Sequence, residues 1–111
     1  MAADLDGTFA ALADPTRRAV IDLLRARPLR SSDLADALDT SRPAMSRHLG
    51  VLRRAGLVEE ESPDDDARAR IYQLRRAPFS ELRGWLDEVE AFWADQLAAF
   101  KAHAERPRRP R

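Results

Sequence analysis

The fold is restricted above all by two short amphipathic segments that a tight turn joins, residues 31–38 and residues 41–56. In the second segment Met45, Leu49 and Leu52 repeat at spacings of four and three, so a helix here buries one narrow side and leaves the other free. Apolar residues of the first segment are expected to brace that buried side. A short helix, a turn and a second helix with a free side form the pattern of a helix-turn-helix.

Residues with strong preferences for helix ends mark where the predicted helices begin and stop. Asp14 followed by Pro15 predicts an N-cap and a first helical position for a helix that precedes the two segments. Ser31 and Ser41 are candidate N-caps for the two helices of the helix-turn-helix. Gly56 suits the position just past the end of the second one.

The rest of the chain completes a mainly α fold with a small β-hairpin. An apolar stripe of Leu5, Phe9 and Leu12 predicts a short first helix. Runs of β-prone residues at 57–58 and 71–74 flank a turn rich in Pro and Asp, which predicts a two-stranded hairpin. The order of elements is that of a winged helix-turn-helix.

A long apolar helix is predicted from about Pro78 to Ala104. At a rise of ~1.5 Å per residue it is about 40 Å long, whereas a compact domain of this size has a radius of gyration of ~13 Å. We therefore expect part of it to be buried against a second copy of the chain. The alternatives are one wide face on the chain's own core, or an aromatic pocket for an inducer. The large apolar residues of this helix, which recur at helical spacing and form an apolar stripe along it, are Phe79, Leu82, Trp85, Leu86, Val89, Phe92, Trp93, Leu97 and Phe100.

The composition is that of one soluble domain. The 111 residues are 44% hydrophobic and 34% charged and include no Cys, which excludes disulfides, thiolate metal sites and cysteine nucleophiles. We expect no membrane span and no signal peptide, because no segment has the long uncharged apolar run that either requires. The expectation is one domain over residues 1–104, a disordered basic tail over residues 105–111, and a cytoplasmic location.

Charged residues are sorted along the chain, although 19 basic and 19 acidic residues give a net charge of zero. The predicted second helix of the helix-turn-helix carries four arginines and no acidic residue, whereas residues 59–66 carry six acidic residues. Overall charge therefore argues neither for nor against nucleic acid as a partner, but the local distribution supplies a basic helix.

The free side of this helix has the groups expected for DNA contact. Its first turns present Ser41, Arg42, Ser46 and Arg47, whose hydroxyl and guanidinium groups suit phosphates and base edges in a major groove. The alternative is that the arginines only solvate an exposed surface, and we favour DNA contact because the group contains no acidic residue. His48 borders the buried stripe, so packing at the helix edge and DNA contact are both open for it.

Three segments resemble the ArsR-type family of bacterial winged-helix repressors. They read Ala-Leu-Ala-Asp-Pro-Thr-Arg-Arg at 11–18, Ser-Arg-Pro-Ala-Met-Ser-Arg-His-Leu at 41–49 and Val-Leu-Arg-Arg-Ala-Gly-Leu-Val at 51–58, within a likeness that spans roughly residues 8–100. The resemblance implies a homodimeric, sequence-specific repressor with helix 41–55 in the major groove of double-stranded DNA. Two-fold symmetry then predicts an inverted-repeat operator.

The resemblance also implies which residues contact DNA and the partner subunit. Base and phosphate contacts fall at the positions of Arg42, Pro43, Ser46 and Arg47, with the wing near the minor groove. Because the acidic tip at residues 64–66 would repel phosphate, we expect wing contacts to come from Arg68 and Arg70. The terminal helices are implied to form the dimer interface, with the candidate residues Leu5, Phe9, Leu12, Leu86, Val89, Trp93, Leu97 and Phe100.

Metal sensing, which is common in that family, is not expected in this chain. Members that bind metal through Cys do so in the helix before the recognition helix, where this chain has Arg-Ser-Ser-Asp-Leu at 30–34. Other members use ligands on the last helix, where Asp95 and His103 lie about 12 Å apart along the axis and Glu105 follows. We predict no metal and no cofactor, and leave open a small-molecule inducer without assigning one.

Two other functional classes compete with a DNA-binding regulator. A winged helix can act as a protein-interaction module without DNA binding, and the acidic wing would suit a basic partner. DNA binding would weaken steeply with salt, whereas a mainly apolar protein contact would not. An enzyme is disfavoured, because the chain has no Gly-rich phosphate loop, no metal-ligand cluster and only two histidines, neither beside a nucleophile.

Overall fold

The computed structural model describes residues 4–61 and 70–106. The elements in chain order are α1 (Leu5–Leu12), α2 (Pro15–Leu24), β1 (Leu29–Arg30), α3 (Ser31–Ala37), α4 (Arg42–Arg54), β2 (Val58–Glu61), β3 (Ile71–Leu74) and α5 (Arg76–Ala104). Within the described ranges, α3 and α4 form the helix-turn-helix, and β2 and β3 form the base of the wing. The predicted winged helix-turn-helix is confirmed.

Local side-chain bonds explain where three of the helices begin. The carboxylates of Asp4 and Asp14 accept from the backbone N–H three residues later at 2.9 and 3.0 Å, at the starts of α1 and α2. The Ser41 hydroxyl does the same at 3.2 Å for α4, so the predicted caps at Asp14 and Ser41 are confirmed. The predicted cap at Ser31 is wrong. Ser31 is the first residue of α3, and Arg30 holds the cap position in extended conformation without a side-chain bond.

The sheet has three antiparallel strands in the described residues, one more than the predicted hairpin. β2 pairs with β3 from Val58 opposite Leu74, and β1 pairs with the other edge of β3 with Leu29 opposite Tyr72, which gives the order β1-β3-β2. β1 has two residues, so it shows no alternation from which its pairing could be predicted. It joins the start of the helix-turn-helix directly to the wing.

The chain divides into two units with the boundary between Glu81 and Leu82. The core of the first unit lies among α1 to α4 and the sheet. As predicted, α4 contributes Met45, Leu49 and Leu52, each no more than 1% exposed. The other core residues are Ala11, Val20, Ile21, Leu24, Leu34, Ala35, Leu57, Val58 and Tyr72. The single domain predicted over residues 1–104 stays a prediction.

Helix α1 packs differently from the predicted stripe. Its buried residues are Thr8 and Ala11, while Phe9 is 43% exposed and Leu5 is half-buried. Leu12 is partly buried against the core. The contact of α1 with the rest of its unit is therefore made mainly by small side chains, and the larger apolar side chains of the predicted stripe are only partly buried.

The second unit contains the part of α5 that begins at Leu82. No residue of α5 is fully buried, and Trp93 and Phe100 are 60% and 73% exposed. The rings of Phe92 and Trp93 meet edge to face with their centroids 6.1 Å apart. α5 begins at Arg76, slightly before the predicted start. In the part of the chain that the structure describes, no helix has the length and hydropathy required to cross a membrane.

Candidate nucleic-acid interface

The outer side of α4 is exposed because the opposite side is buried in the core. Five of the predicted DNA contacts are exposed and occupy the cap and first two turns of this helix, namely Ser41, Arg42, Pro43, Ser46 and Arg47. α4 contains no acidic residue, and its last turn adds Arg53 and Arg54. The helix therefore presents hydroxyl and guanidinium groups to solvent without a carboxylate of its own.

A concavity of about 780 Å³, called here the α2/α4 concavity, lies on one flank of this helix. Its basic members come from both helices, and no acidic residue in the described part of the chain lines it. The lining residues are Arg17, Pro43, Ser46, Arg47, His48, Gly50, Val51 and Arg54. The flank thus combines positive charge with the predicted contact residues.

A second concavity, of about 430 Å³, lies on the other flank and is called here the α3/β3 concavity. Among the residues that the structure describes, no acidic residue lines it either. The lining residues are Arg30, Ser31, Ser32, Arg42, Ser46, Leu49, Arg70 and Tyr72. Ser46 lines both concavities, which places it on the ridge between them.

Arg17 is a site residue that the sequence reasoning missed. Its Nε donates to the carbonyl oxygen of Ala11 at 2.6 Å and its Nη2 to that of Ala10 at 3.2 Å, which satisfies carbonyl groups at the end of α1. Its Nη1 lies 3.4 Å from Nδ1 of His48 and 4.0 Å from the Asp14 carboxylate. The only sequence signal was its place in the segment 11–18, which gave no indication of these contacts.

His48 is half-buried at the edge of α4, beside Arg17. The packing that was one of its two open interpretations is therefore present, while its contact with DNA stays a prediction. The neighbouring Asp14 carboxyl has a lowered pKa, mainly because it accepts the backbone hydrogen bond from Arg17, with a smaller contribution from the charge of His48.

Glu60 on β2 connects α4 to the wing and was also missed by the sequence reasoning. Its Oε1 accepts from Nη1 of Arg53 at 2.9 Å, and its Oε2 accepts from the Tyr72 hydroxyl at 2.9 Å. Arg70 Nη1 lies 3.8 Å from the same Oε2. Burial and the bond to Glu60 raise the pKa of Tyr72. Arg53 is thus paired within the chain, and Arg70 lies next to the first residue of β3, close to the Glu60 carboxylate.

Other predicted site residues have different outcomes. Arg68 and the acidic tip at residues 64–66 lie outside the described residues, as does most of the predicted tail at 105–111. Among the described residues, no three His, Cys, Asp or Glu side chains are grouped so that they could hold a metal ion. The absence of a metal or cofactor and the possibility of an inducer stay predictions.

Comparisons with known proteins point to a helix-turn-helix regulator as well. Residues 12–61 match the family model described as a helix-turn-helix domain. The HTH-type transcriptional regulator Rv2034 of Mycobacterium tuberculosis is 40% identical over 95 residues, which cover 86% of this chain and 83% of that regulator. The transcriptional repressor SdpR of Bacillus subtilis is 34% identical over 56 residues, which cover 50% of this chain and 62% of SdpR.

A solved structure supports the family at the level of the fold. The ArsR-like transcriptional regulator from Rhodococcus sp. RHA1 superposes with a TM-score of 0.77 and 34% identity, covering 91% of this chain and 90% of that one. These relatives are transcriptional regulators, in agreement with the prediction that the chain is not an enzyme. Helix-turn-helix regulators of this kind bind double-stranded DNA. This chain belongs to the ArsR-type family of winged helix-turn-helix transcriptional regulators.

Proposed function

We propose that the protein is a homodimeric repressor that binds an inverted-repeat operator with α4 in the major groove. The observation that carries the proposal is the acid-free outer side of α4, held outward by the buried side chains of Met45, Leu49 and Leu52. The name of the relative SdpR supports a repressor rather than an activator.

We assign recognition of the DNA base sequence to the first two turns of α4. Arg47 can make a bidentate contact with guanine, and Arg42, at the start of the helix, can contact a base edge or a phosphate. The hydroxyls of Ser41 and Ser46 suit phosphates or base edges. Pro43 lacks an N–H that would be unpaired in the first turn, so it presents a compact apolar surface at no cost in hydrogen bonds. His48 and Arg70 are assigned to the flanks, where phosphates pass.

The second subunit is assigned to the exposed apolar residues of the terminal helices. Monomeric proteins rarely expose a large contiguous apolar patch, and α5 carries such residues over most of its length. The proposed interface residues are Leu5, Phe9, Leu12, Leu86, Val89, Trp93, Leu97 and Phe100. Two symmetric copies of α4 would then read half-sites whose centres are about 10 to 10.5 base pairs apart, or a multiple of that spacing.

The test is selection of bound sequences from a pool of random duplex DNA with the purified full chain. We expect an inverted repeat, and a log affinity that falls linearly and steeply with log salt. Arg47→Ala should lose about 1–3 kcal/mol of binding free energy and relax the preference at one base pair of each half-site.

Arg25→Ala is the matched control, because Arg25 is exposed at the end of α2 and pairs only with Asp22, at 3.6 Å, among the described residues. It should leave the base preference unchanged. No enriched sequence, or an affinity that salt does not alter, would contradict the proposal and favour a protein-interaction module instead.

A further inference from the structure

The α3/β3 concavity collects three arginines from separate parts of the chain. Arg30 ends β1, Arg42 begins α4 and Arg70 directly precedes β3. The hydroxyls of Ser31, Ser32 and Ser46 lie around them, and no acidic side chain from residues 4–61 or 70–106 lines the concavity. A site of this composition suits a tetrahedral oxyanion, because guanidinium and hydroxyl groups all donate hydrogen bonds.

The positive charge of this concavity is mostly uncompensated. Within residues 4–61 and 70–106, no carboxylate lies within ion-pair distance of Arg30 or Arg42. Arg70 is the exception, and its contact with Glu60 is long, at 3.8 Å, with 48% of its side chain exposed. Glu60 also accepts shorter bonds from Arg53 and Tyr72, so it neutralises Arg70 only in part.

The backbone fixes the positions from which two of these arginines extend. Arg30 is paired directly opposite Ile71 in the antiparallel ladder, and Arg70 is the residue that directly precedes Ile71, so both arginines lie at the same end of the β1–β3 pair. Tyr72 and Leu49, both buried, line the same concavity. Arg30 is thus anchored on β1 and Arg42 on α4, and Arg70 adjoins the first residue of β3, which lowers the entropy lost when they bind one anion.

We propose that the α3/β3 concavity seats a backbone phosphate of the operator, at the edge of the groove that α4 enters. Ser46 lines both this concavity and the flank that carries Arg47, so an occupant lies next to the base-reading residues. Arg30 and Arg70 hold the phosphate from the sheet side, and Arg42 holds it from the helix side. The site fixes the register of α4 along the duplex and reads no base.

This inference rests on the proposed DNA binding by α4, so the experiment distinguishes failure of the phosphate site from failure of the proposed function. The full chain and its Arg30→Gln variant are titrated with the selected duplex and with duplexes that each carry one neutral methylphosphonate in place of a phosphate. Because each subunit of the dimer loses one contact, Arg30→Gln should weaken binding about tenfold per half-site, lower the slope of log affinity against log salt by about two, and leave the selected sequence unchanged.

The decisive measurement is the combination of both changes. At one phosphate per half-site, the methylphosphonate should weaken the wild-type protein about tenfold and the Arg30→Gln variant hardly at all, because the contact is already lost. At every other phosphate the two effects should multiply. Arg25→Gln, which makes the same change in charge on an exposed side chain outside the concavity, should show no such position.

The outcomes separate the two proposals. If the wild type selects an operator but the effects of Arg30→Gln and every methylphosphonate multiply, the phosphate seat is wrong and the proposed function stands. If no duplex is bound above background, both fall. Inorganic phosphate, added to the preformed complex at constant ionic strength, should not release the selected operator, because a single anion makes only one of the many contacts that the duplex makes. Release of the operator by inorganic phosphate, but not by chloride at the same ionic strength, would assign the concavity to free phosphate and overturn its assignment to DNA.

Discussion

Arg17 Nη1 lies 3.4 Å from His48 Nδ1, so a side chain of α2 directly contacts the helix assigned to the major groove. The same guanidinium donates to the carbonyl oxygens of Ala10 and Ala11, at the end of α1. One arginine therefore joins α1, α2 and α4. Because α1 is also assigned to the dimer interface, this side chain lies between the two surfaces on which repression would depend.

Arg17→Gln should therefore affect both stability and DNA binding. Loss of charged hydrogen bonds to partly buried carbonyls should lower the free energy of unfolding by about 1–2 kcal/mol, measured by urea denaturation. The operator affinity should also fall, because the edge of α4 loses its contact with α2. Arg18→Gln is the matched control, since Arg18 Nη1 donates to the Leu12 carbonyl at 2.8 Å without contacting His48. Equal losses of DNA affinity in the two variants would contradict this role for Arg17.

The Asp14 cap predicts a specific pH dependence of stability. Its pKa in the folded protein lies below the usual value of 3.8, chiefly because the carboxylate accepts the Arg17 backbone hydrogen bond. A carboxyl group whose pKa is lowered on folding stabilises the protein above its unfolded pKa, and this contribution is lost as pH falls through the folded pKa. Asp14→Asn keeps a capping oxygen but cannot titrate, so its stability should fall less steeply in acid than that of the wild type. Parallel curves from neutral pH down to about pH 2 would contradict the assignment.

Two glycines should respond to alanine with opposite signs. Gly56 has φ +78°, and an added Cβ would meet only ordinary contacts at 3.9 Å, so the cost of Gly56→Ala is conformational, about 1–2 kcal/mol. Gly84 lies inside α5 with nothing within 4 Å of an added Cβ, so Gly84→Ala should stabilise that helix by about 0.5–1 kcal/mol. Thermal and urea denaturation of both variants check the signs. A neutral Gly56→Ala would show that α4 can end without a left-handed residue.

The buried side of α4 was predictable because buried positions of a helix are apolar and recur at a spacing that the sequence shows. Met45, Leu49 and Leu52 recur at helical spacing, and once they are inside, Arg42 and Arg47 must be outside. The caps at Asp14 and Ser41 were predictable for a similar reason, since each bond spans only three residues. Local rules therefore predicted both the fold class and the exposed side of α4.

The contacts that complete the site were not predictable from local rules. Arg17 and His48 are 31 residues apart in the chain, and nothing in either neighbourhood specifies the other. Glu60 reads as one of a run of acids on the wing, yet it engages Arg53 and Tyr72. β1 is too short to show a pattern, although its pairing brings Arg30 beside the wing. Each depends on tertiary arrangement, which periodicity and capping do not encode.

The exposed apolar side of α5 gives the sharpest test of the second subunit. Leu97→Glu places a charge among side chains that a partner would bury, and an unpaired buried charge costs several kcal/mol, so the dimer dissociation constant should rise at least about a hundredfold. Sedimentation equilibrium measures this change directly. Asp95→Lys is the control, because residue 95 points away from the stripe that contains Trp93 and Leu97 and should leave the dimer intact.

Since two linked copies of α4 are needed to read an inverted repeat, Leu97→Glu should also lose operator affinity while retaining the folded first unit. A variant that remains dimeric would place the interface elsewhere, and a wild type that is monomeric at micromolar concentration would remove the physical basis for a two-fold operator.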